Sequence, residues 1–367
     1  METPDLTSPD YWEGREVDIR LNPASDLKIP GLREAIEARC IESAIVLATS
    51  GSTGVPKLIV LPKAAMLASA RAVNRWCGIT GNDVWLGGLS TFHVGGLGIF
   101  CRASLTGSKV NRMKWHEWTR DGRAFLDAVQ DSTVTSLTPV HLHDLVEAQV
   151  PCPATLRGVF IGGAALSRGL AAKADDLGWP LWPTFGMTEA CSQIATALEP
   201  EAEWLPVLPH WTTRLSEAGS LMIKGPALMS GYFTADGNNG WDWHRAADHE
   251  GFYLCGDRVE IQDGKLRPLG RADHQIKILG ELVSLEKLEQ SLSQALGLEV
   301  VVAKKDDSRR GAELIAFIET ESDISEAFAC WNDALPPFER VSRYQLLPEF
   351  PRTGVGKIDR RSLEAKI

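Results

Sequence analysis

Residues 44–57 read AIVLATSGSTGVPK, a short apolar run followed directly by a turn rich in glycine, serine and threonine. The apolar run predicts a buried β-strand over 44–49, and the turn is expected to lead into a helix over 64–76. Gly51 and Gly54 allow backbone amides to approach an anion closely, and Lys57 adds positive charge. The segment therefore predicts a phosphate-binding loop.

This loop differs from the P-loop pattern G-x-x-x-x-G-K-[ST] at two positions. Pro56 stands at the second glycine, and Leu58 replaces the hydroxyl residue that would bind Mg²⁺. Taken alone, the segment also fits a glycine–serine turn that merely joins a strand to a helix. The choice between these two interpretations depends on the rest of the chain.

Strand and helix patterns alternate through the first half of the chain and predict an α/β fold of parallel βαβ units. The further predicted strands are 84–86, 134–137, 158–161 and 181–184, and the further predicted helices are 122–130, 141–147 and 169–177. After these units, short strands separated by turn residues predict a small β-hairpin subdomain over about 219–270.

The last part of the chain has a different pattern, in which predicted strands and helices are mixed, and this pattern predicts a small α+β domain. Its predicted strands and helices are strand 275–279, helix 285–296, strand 299–305, strand 313–319 and helix 324–335. The expected domains are therefore an N-terminal domain over 1–272 and a C-terminal domain over 273–367, with a boundary at Asp273.

Composition limits the class of protein and its partners. The 367 residues are 44% hydrophobic, which excludes a disordered or collagen-like chain. A net charge of −10 argues against non-specific attraction to nucleic acid or anionic membranes. We find no signal-peptide pattern, no run near the roughly 20 apolar residues of a membrane helix, and 7 scattered cysteines. These features predict a cytoplasmic protein without membrane insertion.

Six further motifs follow the glycine-rich loop. In chain order they are FHVGGLG (92–98), FIGGAALS (160–167), PTFGMTEACSQ (183–193), YLCGDRV (253–259), LGRADHQIKILG (269–280) and PRTGVGKIDRRSL (351–363). This series resembles the motifs of the adenylate-forming superfamily, which includes acyl- and aryl-CoA synthetases, adenylation domains and luciferases. The stretch FGMTEACSQIAT, residues 185–196, is most similar to the o-succinylbenzoate-CoA ligases of menaquinone synthesis.

The resemblance implies a two-step reaction. A carboxylate attacks the α-phosphate of ATP to give acyl-AMP and pyrophosphate, and the thiol of coenzyme A then displaces AMP. ATP, Mg²⁺ and coenzyme A are therefore expected, together with a small carboxylic acid as substrate. The first step needs charge neutralisation and an oriented carboxylate rather than a protein nucleophile.

The resemblance also assigns residues to the phosphates. Those expected to hold the β- and γ-phosphates are Thr49, Ser50, Gly51, Ser52, Thr53, Gly54 and Lys57. Thr188 is expected at the α-phosphate, and Glu189 at Mg²⁺, which prefers oxygen ligands. Lys357, in the loop T-G-V-G-K, is expected to stabilise the charge that develops during adenylation.

Further residues are assigned to the nucleoside and the acid. Those expected around the adenine are Gly162, Gly163, Ala164 and Phe185, and Gly186 is also expected to bind the nucleotide. Asp257 is expected to accept from the ribose hydroxyls and Arg271 to donate to the ribose or a phosphate, although Asp257 alone would fit a turn cap. His93 fits either a gate between the ATP and acid pockets or a satisfied core histidine. Candidates for the acid pocket, chosen from motif adjacency, are Gly95, Gly96, Pro139, His141, Gly186 and Ser192.

The chain departs from the family pattern before the glycine-rich loop. Family members usually carry a longer region there, whereas this loop begins at Thr49, so we expect a shortened N-terminal region. Apolar surface exposed in this way could be covered by a second subunit, as in a homodimer. The C-terminal domain is expected to rotate about Asp273, so that Lys357 leaves the site while the loop around Gly280 enters and lines the channel for coenzyme A.

The sequence therefore predicts an AMP-forming, Mg-ATP-dependent acid–CoA ligase, with o-succinylbenzoate as the expected acid. One alternative is a ligase for another aryl or acyl acid, and another is an adenylation domain that loads a carrier protein. A requirement for free coenzyme A separates the carrier-loading domain from the ligases. A non-enzymatic alternative is a degenerate nucleotide-binding protein.

Overall fold

The computed structural model divides the chain into two compact units. The first comprises Met1–Cys255 and Val259–Pro268, and the second comprises Gly256–Arg258 and Leu269–Ile367. The predicted boundary residue, Asp273, lies outside the described residues. The structure describes residues 4–23, 27–50, 56–114, 117–119, 121–200, 202–237, 240–271, 275–278, 281–307, 311–353 and 358–367.

The described segments contain helices and strands in alternation. The helices are α1 (Pro9–Glu13), α2 (Leu32–Glu37), α3 (Lys63–Trp76), α4 (Val94–Thr106), α5 (Arg123–Val129), α6 (Pro139–Glu147), α7 (Arg168–Asp176), α8 (Leu285–Leu296), α9 (Ser325–Asp333) and α10 (Arg360–Glu364). The first eight described strands are β1 (Asp18–Arg20), β2 (Ala44–Ser50), β3 (Pro56–Pro62), β4 (Val84–Gly87), β5 (Lys109–Arg112), β6 (Val134–Leu137), β7 (Gly158–Ile161) and β8 (Leu181–Met187). The remaining strands are β9 (Ser192–Thr196), β10 (Leu205–Pro206), β11 (Thr212–Leu215), β12 (Ser220–Lys224), β13 (Gly231–Ala235), β14 (Trp241–Arg245), β15 (Tyr253–Gln262), β16 (Lys265–Arg271), β17 (Gln275–Ile278), β18 (Glu281–Ser284), β19 (Val300–Asp307), β20 (Gly311–Glu319) and β21 (Arg343–Leu347).

A largely parallel sheet of six described strands lies in the first unit. Its described strands run in the order β5-β4-β6-β7-β8-β9, and all neighbouring pairs are parallel except β8 and β9. Every residue of β6 and β7 is buried, as expected for parallel strands covered on both faces. The α/β prediction is confirmed. The carboxyl ends of β6, β7 and β8 meet at one edge of this sheet, where ligands of open α/β sheets usually bind.

The glycine-rich turn belongs to a different sheet, with the order β1-β2-β3-β13-β14. The segment after the turn is the strand β3, antiparallel to β2, and α3 begins only at Lys63. The expectation that the turn leads into the helix was therefore wrong. The physical reason is two-sided burial, because Leu58 and Val60 pack into one apolar cluster while Ile59 and Leu61 pack into another.

Antiparallel strands make up another sheet, in the order β10-β16-β15-β12-β11. Its hairpins fall within and beside the region over 219–270 for which hairpins were predicted. The strands β13 and β14 lie in the same stretch of sequence but join β3 instead, with Phe233 opposite Leu58. This long-range pairing connects the hairpin region to the strand that follows the glycine-rich turn.

The second unit is an α+β structure, as the sequence predicts. The strands β17 and β18 form a hairpin, and β19-β20-β21 form a sheet in which β21 is parallel to β20. The helix α8 has the predicted bounds because both of its ends are signalled locally. Ser284 caps the first turn by accepting from the Lys287 amide at 3.4 Å, and Gly297 ends the helix with φ 69°.

Across the described parts of the chain, none of the helices has the length and apolar character needed to cross a bilayer.

Candidate functional site

The strand hairpin β2–β3 holds the two described ends of the glycine-rich loop. Thr49 lies opposite Lys57 in the antiparallel register. The Lys57 ammonium lies 4.8 Å from the centroid of the Tyr232 ring on β13, a cation–π contact that restricts the lysine. Residues 51–55, which include the phosphate candidates Gly51, Ser52, Thr53 and Gly54, lie outside the described residues, as does the side chain of Ser50.

The predicted adenine-binding backbone follows the carboxyl end of β7. The Gly162 amide donates to the Leu137 carbonyl at 3.2 Å, and a Cβ at Gly162 would lie 2.5 Å from Thr184 Oγ1 on β8. Gly163 has φ 87°, a conformation that side chains disfavour. The structure therefore places Gly162 against Thr184 of β8, the residue that precedes Phe185. Ala164 and Gly163 are exposed, and Phe185 is half-buried.

A β-bulge shapes the turn that follows β8. The register between β8 and β9 shifts between Phe185 and Gly186. A Cβ at Gly186 would lie 1.6 Å from the Ser192 carbonyl oxygen, so only glycine fits there. Cys191 and Ser192 have φ values of 49° and 104°, which are strained for residues with side chains. The backbone around the turn is thus tightly constrained.

Thr188 and Glu189 stand on this constrained turn, a 3₁₀ turn over Thr188–Ala190. The Glu189 carbonyl accepts from the Met229 amide at 2.8 Å, and the next amide, of Ser230, donates to the Val60 carbonyl at 3.0 Å. These bonds tie the turn to β3. Both side chains are half-buried, and within the described residues neither the Thr188 hydroxyl nor the Glu189 carboxylate has a hydrogen-bonding partner. Both groups are available to a ligand.

His93 lies at the amino end of α4, where it is the N-cap residue. Its ring is half-buried and its centroid lies 4.9 Å from that of Phe92. The first turn of α4 packs directly on the preceding loop, because a Cβ at Gly96 would lie 2.2 Å from the Ser90 carbonyl oxygen. Gly95 has more room, with its nearest neighbour at 3.6 Å. The glycines of this motif therefore allow close packing that fixes the position of His93.

Arg102, on α4, is a buried arginine beside the candidate residue Ser192 that the motif analysis did not single out. It is 2% exposed and its guanidinium carbon lies 5.8 Å and 5.3 Å from the ring centroids of Trp85 and Phe160. Nη2 donates to Ser192 Oγ at 3.4 Å. In the described part of the chain, Nε has no partner and no carboxylate pairs with this arginine.

Burial lowers the pKa of Arg102 to about 10, so the guanidinium still carries its charge at neutral pH. An unpaired buried cation is costly, and such a group in a protein usually has a counter-ion or a ligand. The only cue in the sequence is a charged residue within the otherwise apolar run VGGLGIFCRASL, residues 94–105.

Two other acid-pocket candidates have structural roles in α6. Pro139 is its first residue, and His141 completes a capping box with Thr138. The Thr138 amide lies 3.4 Å from His141 Nδ1, and the His141 ring centroid lies 4.4 Å from that of Trp118. Burial lowers the pKa of His141 to about 4, so the ring is neutral at pH 7. These contacts give His141 a helix-capping function.

The ribose candidates lie together in the second unit. The Arg271 guanidinium packs against Gly256, where a Cβ would lie 2.5 Å from Nη2, and Asp257 is the next residue. Both oxygens of Glu286 accept from the Arg271 amide at 2.9 Å. Gly270 has φ 102° and leaves room for that carboxylate. The remaining candidates, Asp273, Gly280 and Lys357, lie outside the described residues.

Comparison with known proteins identifies the class of protein that this fold and site define. The AMP-binding enzyme family matches residues 37–233, more than half of the chain. The chain belongs to the AMP-binding enzyme family, and the superfamily predicted from the motif series is confirmed.

Among its relatives, the 2-succinylbenzoate–CoA ligase of Staphylococcus epidermidis is 28% identical over 345 residues, which is 88% of this chain and 70% of the relative. A structure of Escherichia coli MenE with bound OSB-AMS has a TM-score of 0.74 at 26% identity, and the match covers 88% of this chain and 68% of that one. The o-succinylbenzoate coenzyme A synthetase of Bacillus subtilis, in complex with ATP and magnesium ion, also has a TM-score of 0.74, at 24% identity with 87% and 69% coverage. The last of these shows likeness of fold.

Proposed function

We propose that this protein is an ATP-dependent, AMP-forming acid–CoA ligase that converts 2-succinylbenzoate into its CoA thioester through an acyl adenylate. The observation that carries the choice of acid is Arg102, a buried cation beside Ser192 without a carboxylate partner in the described residues. Relatives named 2-succinylbenzoate–CoA ligase, 28% identical over most of the chain, support the same assignment.

The acid itself explains why such a cation would be retained. 2-Succinylbenzoate carries two carboxylates, and only one of them reacts with ATP. The other remains charged, and binding it in a site lined by aromatic rings requires a buried positive partner. Arg102 lies beside the stacked rings of Trp85 and Phe160, so it can supply that partner while the rings supply apolar contact.

In the first half-reaction, the chain's groups orient two anions that would otherwise repel each other. The phosphates of ATP would lie on the loop between β2 and β3, with Lys57 at its described end. The Thr188 hydroxyl would donate to the α-phosphate, because it projects from the constrained turn without a described partner. Lys357 would neutralise charge as the acyl carboxylate attacks. His93 would separate the acid from the nucleotide.

Magnesium would be held by Glu189. Its carboxylate is half-buried and free of described partners, and oxygen is the donor that Mg²⁺ prefers. Over the described segments, no three His, Cys, Asp or Glu side chains cluster as a metal site. One carboxylate is nevertheless sufficient in nucleotide enzymes, where substrate phosphates and water complete the coordination. The ion would supply charge neutralisation to the phosphates.

The second unit would contribute the ribose contacts and the thiol-transfer step. Asp257 has two oxygens that can accept from both ribose hydroxyls, and the neighbouring Arg271 can donate to the sugar or a phosphate. Rotation of this unit about Asp273 would withdraw Lys357 and bring the loop around Gly280 to the channel for coenzyme A. Glu286 supports the assignment of Arg271 to the nucleotide, because its carboxylate fixes the Arg271 backbone.

We also propose a cytoplasmic location and a homodimer. None of the seven cysteines, all of which lie in the described residues, forms a disulfide, and burial raises the pKa of Cys77 to about 12, which makes this thiol inert. Free cysteines are typical of a reducing compartment. Cell fractionation should recover the chain with cytoplasmic markers.

Light scattering should give twice the mass of one chain, and a monomeric mass would remove the dimer from the proposal.

The products of the reaction test the proposed chemistry. With Mg-ATP and 2-succinylbenzoate alone, mass spectrometry should detect the acyl adenylate and pyrophosphate. Adding coenzyme A should convert the adenylate to the thioester and release AMP. Formation of ADP, or transfer only to a carrier-protein thiol and not to free coenzyme A, would contradict the proposal.

A further inference from the structure

The side chain of Arg20 connects the N-terminal segment, residues 4–23, to the loop before α4. Its Nε donates to Asp18 Oδ2 at 2.7 Å, and its Nη1 donates to Thr91 Oγ1 at 3.1 Å. The Arg20 and Asp18 side chains are only 12% and 21% exposed, so water competes weakly for these bonds. Thr91 stands two residues before His93. Arg20 therefore acts on the loop that presents His93.

Arg20 is held in turn by a buried polar anchor. The Tyr11 hydroxyl donates to Asp18 Oδ2 at 2.5 Å. Lys63, 2% exposed, donates from Nζ to the carbonyl oxygens of Tyr11 at 2.7 Å and Gly14 at 3.2 Å. Burial and the Asp18 carboxylate raise the pKa of the Tyr11 hydroxyl, which therefore remains a donor at neutral pH. Asp18, which holds the Arg20 guanidinium, is thus fixed by Tyr11, and Lys63 in turn fixes the backbone of the Tyr11 segment.

The loop that receives this contact transmits its position to the site. A Cβ at Gly96 would lie 2.2 Å from the Ser90 carbonyl oxygen, so the loop and the first turn of α4 are in direct contact. Phe92 is 9% exposed and its ring packs beside that of His93. Closely packed interiors have low compressibility and transmit strain. A displacement of Thr91 is therefore expected to move His93 as well.

We infer that Arg20 is a positioning residue for the acid pocket, acting through Thr91 on the loop that carries His93. Residues 4–23 precede the region over 37–233 that the family matches, so this contact comes from a part of the chain that the family match does not include. The inference rests on the proposed function, in which the acid binds beside His93. Arg20 itself need not touch substrate.

Kinetics with two substrates test this inference. Arg20→Met removes the donor and Thr91→Val removes the acceptor with little change of shape. Each should raise KM for 2-succinylbenzoate about tenfold, the value of one hydrogen bond from a charged donor, and change KM for ATP less than about twofold. The double variant should resemble the single variants, because both remove the same contact.

A matched control comes from the same segment. Arg15 is 88% exposed in its side chain and pairs only with exposed Glu42 among the described residues, so Arg15→Met should leave both KM values unchanged. The inference is overturned if Arg20→Met and Thr91→Val leave KM for the acid within about twofold of wild type, or if the KM values for acid and ATP rise together. It is also overturned if the two effects multiply in the double variant. Should Arg20→Met fail to fold, Thr91→Val decides, since it keeps the pair of Arg20 with Asp18.

A readout without substrate separates this inference from the proposed function. The histidine ¹H–¹³C NMR signal that disappears in His93→Gln identifies His93. That signal should shift in Arg20→Met and Thr91→Val and should stay in place in Arg15→Met. An unshifted signal in both variants overturns the inference even if the enzyme is active. A shifted signal in a protein that ignores 2-succinylbenzoate supports the positioning role and refutes the assigned acid.

Discussion

Replacing Arg102 by methionine should weaken acid binding and stabilise the ligand-free protein at the same time. Methionine keeps an unbranched side chain beside the rings of Trp85 and Phe160 but removes the charge. The two effects have opposite signs because a guanidinium is costly to bury without a carboxylate and favourable once a carboxylate binds.

The magnitudes follow from the environment of Arg102. Burial lowers its pKa to about 10, which corresponds to about 3 kcal/mol against the charged form in the folded protein. Since the folded pKa lies below the unfolded one, this penalty is complete below about pH 10 and disappears as the pH rises through the ordinary pKa of arginine. Contacts with the two rings offset about 1 to 2 kcal/mol. Arg102→Met should therefore gain about 1 to 2 kcal/mol in the free energy of unfolding at pH 7.

Binding of the acid should show the opposite change. Loss of one partner of a buried charge pair costs about 3 to 5 kcal/mol, so KM for 2-succinylbenzoate should rise at least about 100-fold. KM for ATP should stay within about twofold of wild type. The assays are initial rates of pyrophosphate release and urea unfolding without ligand. Arg123→Met, at an arginine whose side chain is 84% exposed, should change neither quantity. An unchanged KM for the acid, or a loss of stability in Arg102→Met, would refute the assignment.

Three further predictions concern other groups. Lys357→Ala should strongly impair acyl-adenylate formation and spare CoA transfer from supplied acyl adenylate, as measured in separate half-reactions; equal loss in both would contradict its role. Glu189→Ala should lower turnover at every acid concentration and raise the Mg²⁺ concentration needed for half-maximal rate, and an unchanged half-maximal Mg²⁺ concentration would remove it from the metal site. Although burial pushes the pKa of Asp83 upward, hydrogen bonds led by Arg157 lower it to about 2. Its contribution to stability is therefore complete above about pH 4 and is lost as the pH falls through 2, so in acid urea titrations the deficit of Asp83→Asn should shrink over that window.

The parallel sheet could be predicted from sequence because its strands are buried on both faces. Residues 134–137 and 158–161 form uninterrupted β-prone runs, and the observed strands β6 and β7 have those bounds. The strand β3 was missed because one of its two partners, β13, lies far away in the sequence. Phe233 on β13 pairs opposite Leu58, and no local pattern in the sequence connects these two positions.

The candidate site also has features that the sequence predicts and features that only the folded structure shows. The motif containing Thr188 and Glu189 was found from sequence, because its residue types and order carry the signal. The constraint on that motif, a bulge that brings the Ser192 carbonyl against Gly186, depends on the pairing of β8 with β9. Arg102 is visible in the sequence only as a charge in an apolar helix. That it lacks a carboxylate among the described residues emerges only once the chain is folded.

The most direct test of the proposed activity is a comparison of acids at fixed Mg-ATP and coenzyme A. Pyrophosphate release and thioester formation would be measured for 2-succinylbenzoate beside benzoate, aliphatic acids and β-keto acids. We predict the highest kcat/KM for 2-succinylbenzoate, with at least about a 100-fold preference over benzoate, which lacks the second carboxylate that Arg102 would bind. Equal or greater activity with a monocarboxylic acid would contradict the account.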